Sequence, residues 1–184
     1  MKRSSSCGLS EKMVDNVHYE IVRKLKATEI RRYPKLVIAK VEGSDEGFNI
    51  LFRFISGENR QKTKISMTAP VVAERIEMTA PVLSGNGSIA FVMPQKYELE
   101  TTPEPLNSQV RIEGIPSRSV AALRFSGRWS ASIFNERSKQ MLDELRNARI
   151  GTNGPVFSML YNPPYTPWFM RRNEVAVEVV LDSP

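Results

Sequence analysis

This 184-residue chain has one cysteine, one histidine and no apolar run longer than a few residues. The single Cys7 excludes an internal disulfide framework and any zinc site built on thiolates. The lone His18 excludes every multi-histidine metal site and argues against a Ser-His-Asp triad. A membrane-spanning helix needs ~20 consecutive apolar residues, and none are present. Aromatic residues make up only 8%, but hydrophobic residues reach 41%. That suffices for one packed domain burying roughly 70% of its unfolded surface. Basic residues number 26 against 20 acidic ones, a net charge of +6, too modest for a disordered chain of this hydrophobicity. The pI of 9.6 would admit a nucleic-acid partner, but the cations are scattered among the acids and no recognition motif is present. Nucleic acid is not expected.

Residues 1–16 are polar and rich in serine, with no apolar core behind Lys2 and Arg3. They read as a disordered tail rather than a secretory signal, which places the chain in the cytoplasm. Residues 17–184 then read as a single domain.

Alternating patterns predict strands over Tyr19–Leu25 and Leu36–Glu42, the latter with Val37, Ala39 and Val41 on one face. Gly43 breaks the second strand, and Ser44 is a candidate helix cap with Asp45 and Glu46 in the first turn. Phe48, Leu51, Phe52 and Ile55 follow at helical spacing and Gly57 supplies the stop. Ile50 and Phe54 add a second apolar stripe, more than a surface helix requires. Met67-Thr68-Ala69-Pro70-Val71 then recurs as Met78-Thr79-Ala80-Pro81-Val82. Strand Ile89–Met93 and a proline-bearing linker over 100–106 close the first half.

The second half repeats this outline: strand Ser119–Phe125, a helix with Phe134, Met141, Leu145 and Ala148 buried, then strands Val156–Tyr161 and Glu174–Leu181. Pro34 and Pro116 each stand five residues before an alanine, Ala39 and Ala121. The pattern predicts an α+β domain made of two strand-helix-strand-strand repeats.

Tyr33-Pro34, Lys64-Ile65-Ser66-Met67-Thr68-Ala69-Pro70-Val71, Phe91-Val92-Met93-Pro94, Pro163-Pro164-Tyr165-Thr166-Pro167-Trp168-Phe169 and Arg171-Arg172-Asn173-Glu174-Val175 occur in this order. Together they resemble the SOUL haem-binding family over residues 18 to 181. The resemblance implies a distorted antiparallel barrel of about eight strands with two outer helices. It also implies reversible binding of haem or another porphyrin in a mainly apolar cleft, with no chemistry of the protein's own. Matched on Gly57, the family's haem-contact positions fall on Phe48, Phe52 and Arg53.

Those residues suit a porphyrin on physical grounds too: apolar side chains for the ring and a cation for a propionate. The same phenylalanines could instead simply pack on the sheet. Met67 and Lys64 are placed with them as cofactor contacts, Lys64 belonging to a small basic group with Arg60 and Lys62. The second methionine, Met78, is left open, and the prolines of both segments read as a bulged corner or edge strand. His18 is the candidate axial ligand for iron, although a surface role fits its place beside the tail better. Cys7 reads as an incidental thiol. Glu174 and Glu178 share one face of the last strand, near Tyr161 or Tyr165. They offer an alternative on the same fold, either as an effector site for cationic molecules or as a general base of a small hydrolase. No nucleophile-base-orienter set can be assembled, so no enzyme is expected.

Overall fold

The computed structural model describes residues 15–43, 46–74, 87–162 and 166–181. Its elements are β1 (Asp15–Asn16), β2 (Glu20–Lys24), β3 (Thr28–Tyr33), β4 (Leu36–Glu42), α1 (Gly47–Ile55), β5 (Thr68–Glu74), β6 (Ser88–Val92) and β7 (Arg111–Ile115). The second half supplies β8 (Arg118–Phe125), α2 (Ala131–Asn147), β9 (Gly151–Leu160), a 3-10 turn (Trp168–Met170) and β10 (Asn173–Val180). The α+β class and the two helices match the sequence reading. β3 and β7 were not foreseen, and β9 begins at Gly151, five residues before the strand expected from Val156. Ser44, Asp45, Met78, Tyr165 and Cys7 lie outside the described residues.

The strands form one sheet in the order β2-β3-β8-β10-β9-β5-β6-β4-β7, with β1 added in parallel beside β5. Every other pairing is antiparallel. β3 and β4 lie six strand steps apart in that order, or roughly 29 Å in a flat sheet at about 4.8 Å per step. Yet only Pro34 and Lys35 separate them, a link spanning at most about 11 Å. The sheet must curl on itself. The link between β7 and β8, Pro116-Ser117, imposes the same constraint from the other half. The expected barrel is nonetheless not closed: β2 and β7 end the series without pairing to one another. A curled sheet held by two short covalent ties stands in place of the ring.

The internal repeat is visible in the pairing. β4-β6-β5 in the first half mirrors β8-β10-β9 in the second, and the two halves meet at β5 and β9. Each unit then lends its preceding strand to the other, β3 to β8 and β7 to β4. Ala39 and Ala121 are both fully buried at corresponding places. Within β5 the register against β6 shifts between Thr68 and Val71, so Ala69-Pro70 occupies an irregularity, as expected for a residue without a ladder donor.

Three apolar clusters follow from the curl. α1 covers Val37, Ala39, Val41 and Phe91 on the outside of one half. α2, capped by Ser130, whose hydroxyl accepts from the Ile133 N–H, covers Leu123, Val175 and Val177 on the outside of the other. The inner face packs Tyr33, Ile38, Val92, Val120, Phe157 and Ala176 together.

Candidate functional site

Strand β10 puts Val175, Val177 and Val179 under α2, so Glu174 and Glu178 turn to the inner face as their alternation requires. A solvated sheet face is the ordinary place for a glutamate. Glu174 is instead 0% exposed. Its Oε2 accepts from Arg31 Nη1 at 2.6 Å and from the Tyr161 hydroxyl at 2.9 Å. Its Oε1 accepts from Arg31 Nη2 at 3.2 Å and Arg172 Nη2 at 2.7 Å. Arg31 also binds Glu29, and its guanidinium lies 4.4 Å from the centre of the Tyr19 ring. The Arg172 guanidinium covers the Tyr161 ring at 3.9 Å.

Electrostatics follow the geometry. Burial opposes the Arg31 charge, but hydrogen bonding and attraction from Glu174 outweigh it and hold its pKa above the ordinary value. Burial, reinforced by the neighbouring Glu174 charge, pushes the Tyr161 phenol upward. Sequence reasoning missed Arg31, Arg172 and Tyr19 as partners. The signal was present for Arg31: in a strand, Glu29, Arg31 and Tyr33 must share a face. Further along the inner face Glu178 accepts from Asn153 and Arg118 at 2.8 and 3.0 Å. Between the two networks lies a cavity of about 30 Å³ lined by Tyr33, Leu36, Ile115, Arg118, Val120 and Phe157 among others. Small-molecule pockets start at roughly 300 Å³. Nothing as large as a porphyrin fits there without opening the sheet.

This arrangement leaves Glu174 little to offer a ligand. Two guanidiniums and a phenol already use its oxygens, so a cationic effector would first have to displace an arginine. The same enclosure keeps the carboxylate from a substrate as a base.

The other sequence candidates lie on the outside. α1 buries Ile50, Leu51, Phe54 and Ile55 and turns Phe48 and Phe52 outward, Phe52 half-exposed at 50%. Their rings run nearly parallel, 10° apart with centroids at 6.3 Å, and Phe48 meets Phe91 edge-on. One stripe of the helix therefore packs on the sheet, and the other, with Phe48 and Phe52, faces solvent. Ile55, which follows Phe48 and Phe52 at helical spacing, belongs to the packing stripe. Arg53 is exposed, with Nε 3.4 Å from Glu58. Met67 is half-buried against the α1 cluster, and Lys64 is exposed. His18 is exposed between β1 and β2, just beyond Val17, whose N–H donates to Ala69. Among the described residues no group of three or more His, Cys, Asp or Glu side chains could hold a metal ion.

The family model described as SOUL heme-binding protein matches residues 14–178, and the chain belongs to that family. Heme-binding protein 2 of Homo sapiens is 31% identical over 169 residues, covering 82% of this chain and 80% of that protein. Heme-binding protein 1 of Xenopus laevis is 24% identical over 135 residues, covering 73% and 70%. The fold is shared more widely. The EcmrR C-terminal domain superposes with a TM-score of 0.57 at 7% identity, over 88% of this chain and 98% of that one. A hydrolase from Listeria innocua gives 0.58 at 8%, over 86% and 94%.

Proposed function

We propose that the chain binds haem or a related tetrapyrrole reversibly on the outer face of α1, as a cytoplasmic buffer or carrier without chemistry of its own. The observation that supports this most is the pair of near-parallel, solvent-facing rings of Phe48 and Phe52, on a helix whose opposite side is buried. A flat macrocycle can lie against such rings while Arg53 and Lys64 stand at the rim for its propionates. Met67 contributes a polarizable side chain at the edge of the same cluster. His18 is not required, because apolar ring contact supplies most of the binding free energy. The runner-up, a cationic-effector site or hydrolytic centre at Glu174, is weakened by the arginines that already occupy it. Haem contacts here would be open on one side, which suits a carrier that must release its load.

A Soret titration with haem and with metal-free protoporphyrin tests the reading. Phe48→Ala and Phe52→Ala should each weaken binding by about 1–2 kcal/mol, from lost ring contact. Val92→Ile, which fills the inner cavity, should leave the titration unchanged. If Val92→Ile abolishes binding and the phenylalanine variants do not, the ligand enters the curled sheet and the α1 site is wrong.

A further inference from the structure

The segment leading into β10 presents Trp168, Phe169 and Met170 to solvent in succession, at 52%, 61% and 65% exposure. Haem binding at α1 makes no use of them. Single exposed apolar side chains need no explanation, but three large ones in one turn form a patch. The turn is firmly built. Met170 N–H donates to the Pro167 carbonyl at 2.9 Å and Arg171 N–H to that of Trp168 at 3.3 Å. Arg171 Nε donates to the Thr166 carbonyl at 2.8 Å. Below it, Arg172 is fixed on Glu174 and the Asn173 side chain donates to the Gly127 carbonyl at 3.0 Å. The Trp168 and Phe169 rings brace each other edge to face, 5.7 Å apart.

Charge decides what meets this patch. The Asn173–Gly127 bond draws the loop after β8 beside the turn, bringing Arg128 with it. The strand register sets Arg124 directly across from Glu174. Arg124 and Arg128 are both exposed, and Glu174, the carboxylate across from Arg124, is enclosed by its own partners. A small projecting apolar tip led by tryptophan, with cations behind it, suits the boundary of an anionic bilayer, where tryptophan sits at headgroup level. A protein groove would ask for a longer apolar stripe than one turn supplies. We propose that the Trp168-Phe169-Met170 turn enters the interfacial layer of an anionic lipid membrane, with Arg124 and Arg128 facing the headgroups.

The test is flotation of the full chain with vesicles of phosphatidylcholine alone and of an equal mixture with phosphatidylserine. Binding should favour the mixture and fall with added salt. In a Trp129→Phe background, Trp168 emission should shift to the blue on binding. The double variant Trp168→Ser, Phe169→Ser should lose vesicle binding while its circular dichroism and porphyrin titration stay unchanged. Arg124→Gln with Arg128→Gln should weaken it roughly 25-fold, from about fivefold per cation. Absence of wild-type binding to the mixture overturns the proposal and assigns the patch to a protein partner. So does equal binding by the Trp168→Ser, Phe169→Ser variant.

Discussion

Arg31 and Glu174 stand 143 residues apart in the chain and meet at 2.6 Å where neither is open to solvent. The pair joins β3 to β10 across β8, so it ties the borrowed strand of the first repeat to the last strand of the second. Removing Glu174 takes the shared acceptor from Arg31, Arg172 and Tyr161 and leaves Arg31 with Glu29 alone. Glu174→Gln should therefore cost about 3–5 kcal/mol of folding stability in urea melts. Arg31→Met combined with Glu174→Leu should cost much less than the sum of the single changes. Simple additivity would show that the two do not act as a unit.

Stability should fall at both ends of the pH scale, for separate reasons. Hydrogen bonding from Asn153, with the Arg118 charge beside it, holds the Glu178 carboxyl below its ordinary 4.5. Its stabilisation is complete above that value and is lost as pH falls through the lower folded pKa. Burial and the Glu174 charge hold the Tyr161 phenol above its ordinary 10.0. Its contribution is complete below 10.0 and declines as pH rises, because the unfolded chain ionises first. Urea midpoints measured against pH should show Glu178→Gln flattening the acid limb and Tyr161→Phe the alkaline one. Unchanged limbs would remove these groups as the cause.

Arg53 must leave Glu58 to meet a propionate, and that exposed pair is worth little. Arg53→Glu should weaken haem binding by about 1 kcal/mol, the modest end for a charge-assisted contact, because the site is open to water. A porphyrin ester, which has no carboxylates to repel, should be affected less. Equal weakening of acid and ester would mean that the change disturbs α1 itself.

His18→Ala should leave haem affinity within a few-fold, since the residue is exposed at the junction of β1 and β2. A hundredfold loss, about 2.7 kcal/mol, with a lost six-coordinate spectrum, would make the histidine an iron ligand.

Much of the framework was legible from local pattern. Leu36–Glu42 is a strand to the residue, because β-branched residues alternate there and a glycine stops it. The end of α1 at Gly57, with its φ of 116°, follows from the conformations open to glycine. The matched spacing of Pro34 with Ala39 and Pro116 with Ala121 announced the repeat. β3 escaped notice because Thr-Glu-Ile-Arg-Arg-Tyr reads as a polar surface segment until a carboxylate is supplied for Arg31. β7 has a glycine among charged residues and is a strand only because β4 pairs with it.

Sequence alone determined the family, the two helices, and the apolar residues that α1 has in excess of its packing needs. Those depend on residue type and short-range spacing, which the chain carries wherever it folds. Tertiary structure decided which stripe of α1 faces out, that the sheet curls without closing, and that Glu174 is enclosed by two arginines. Each of these turns on which distant strands become neighbours. A carboxylate 143 residues from its arginine is paired or exposed according to topology, and no local pattern contains that.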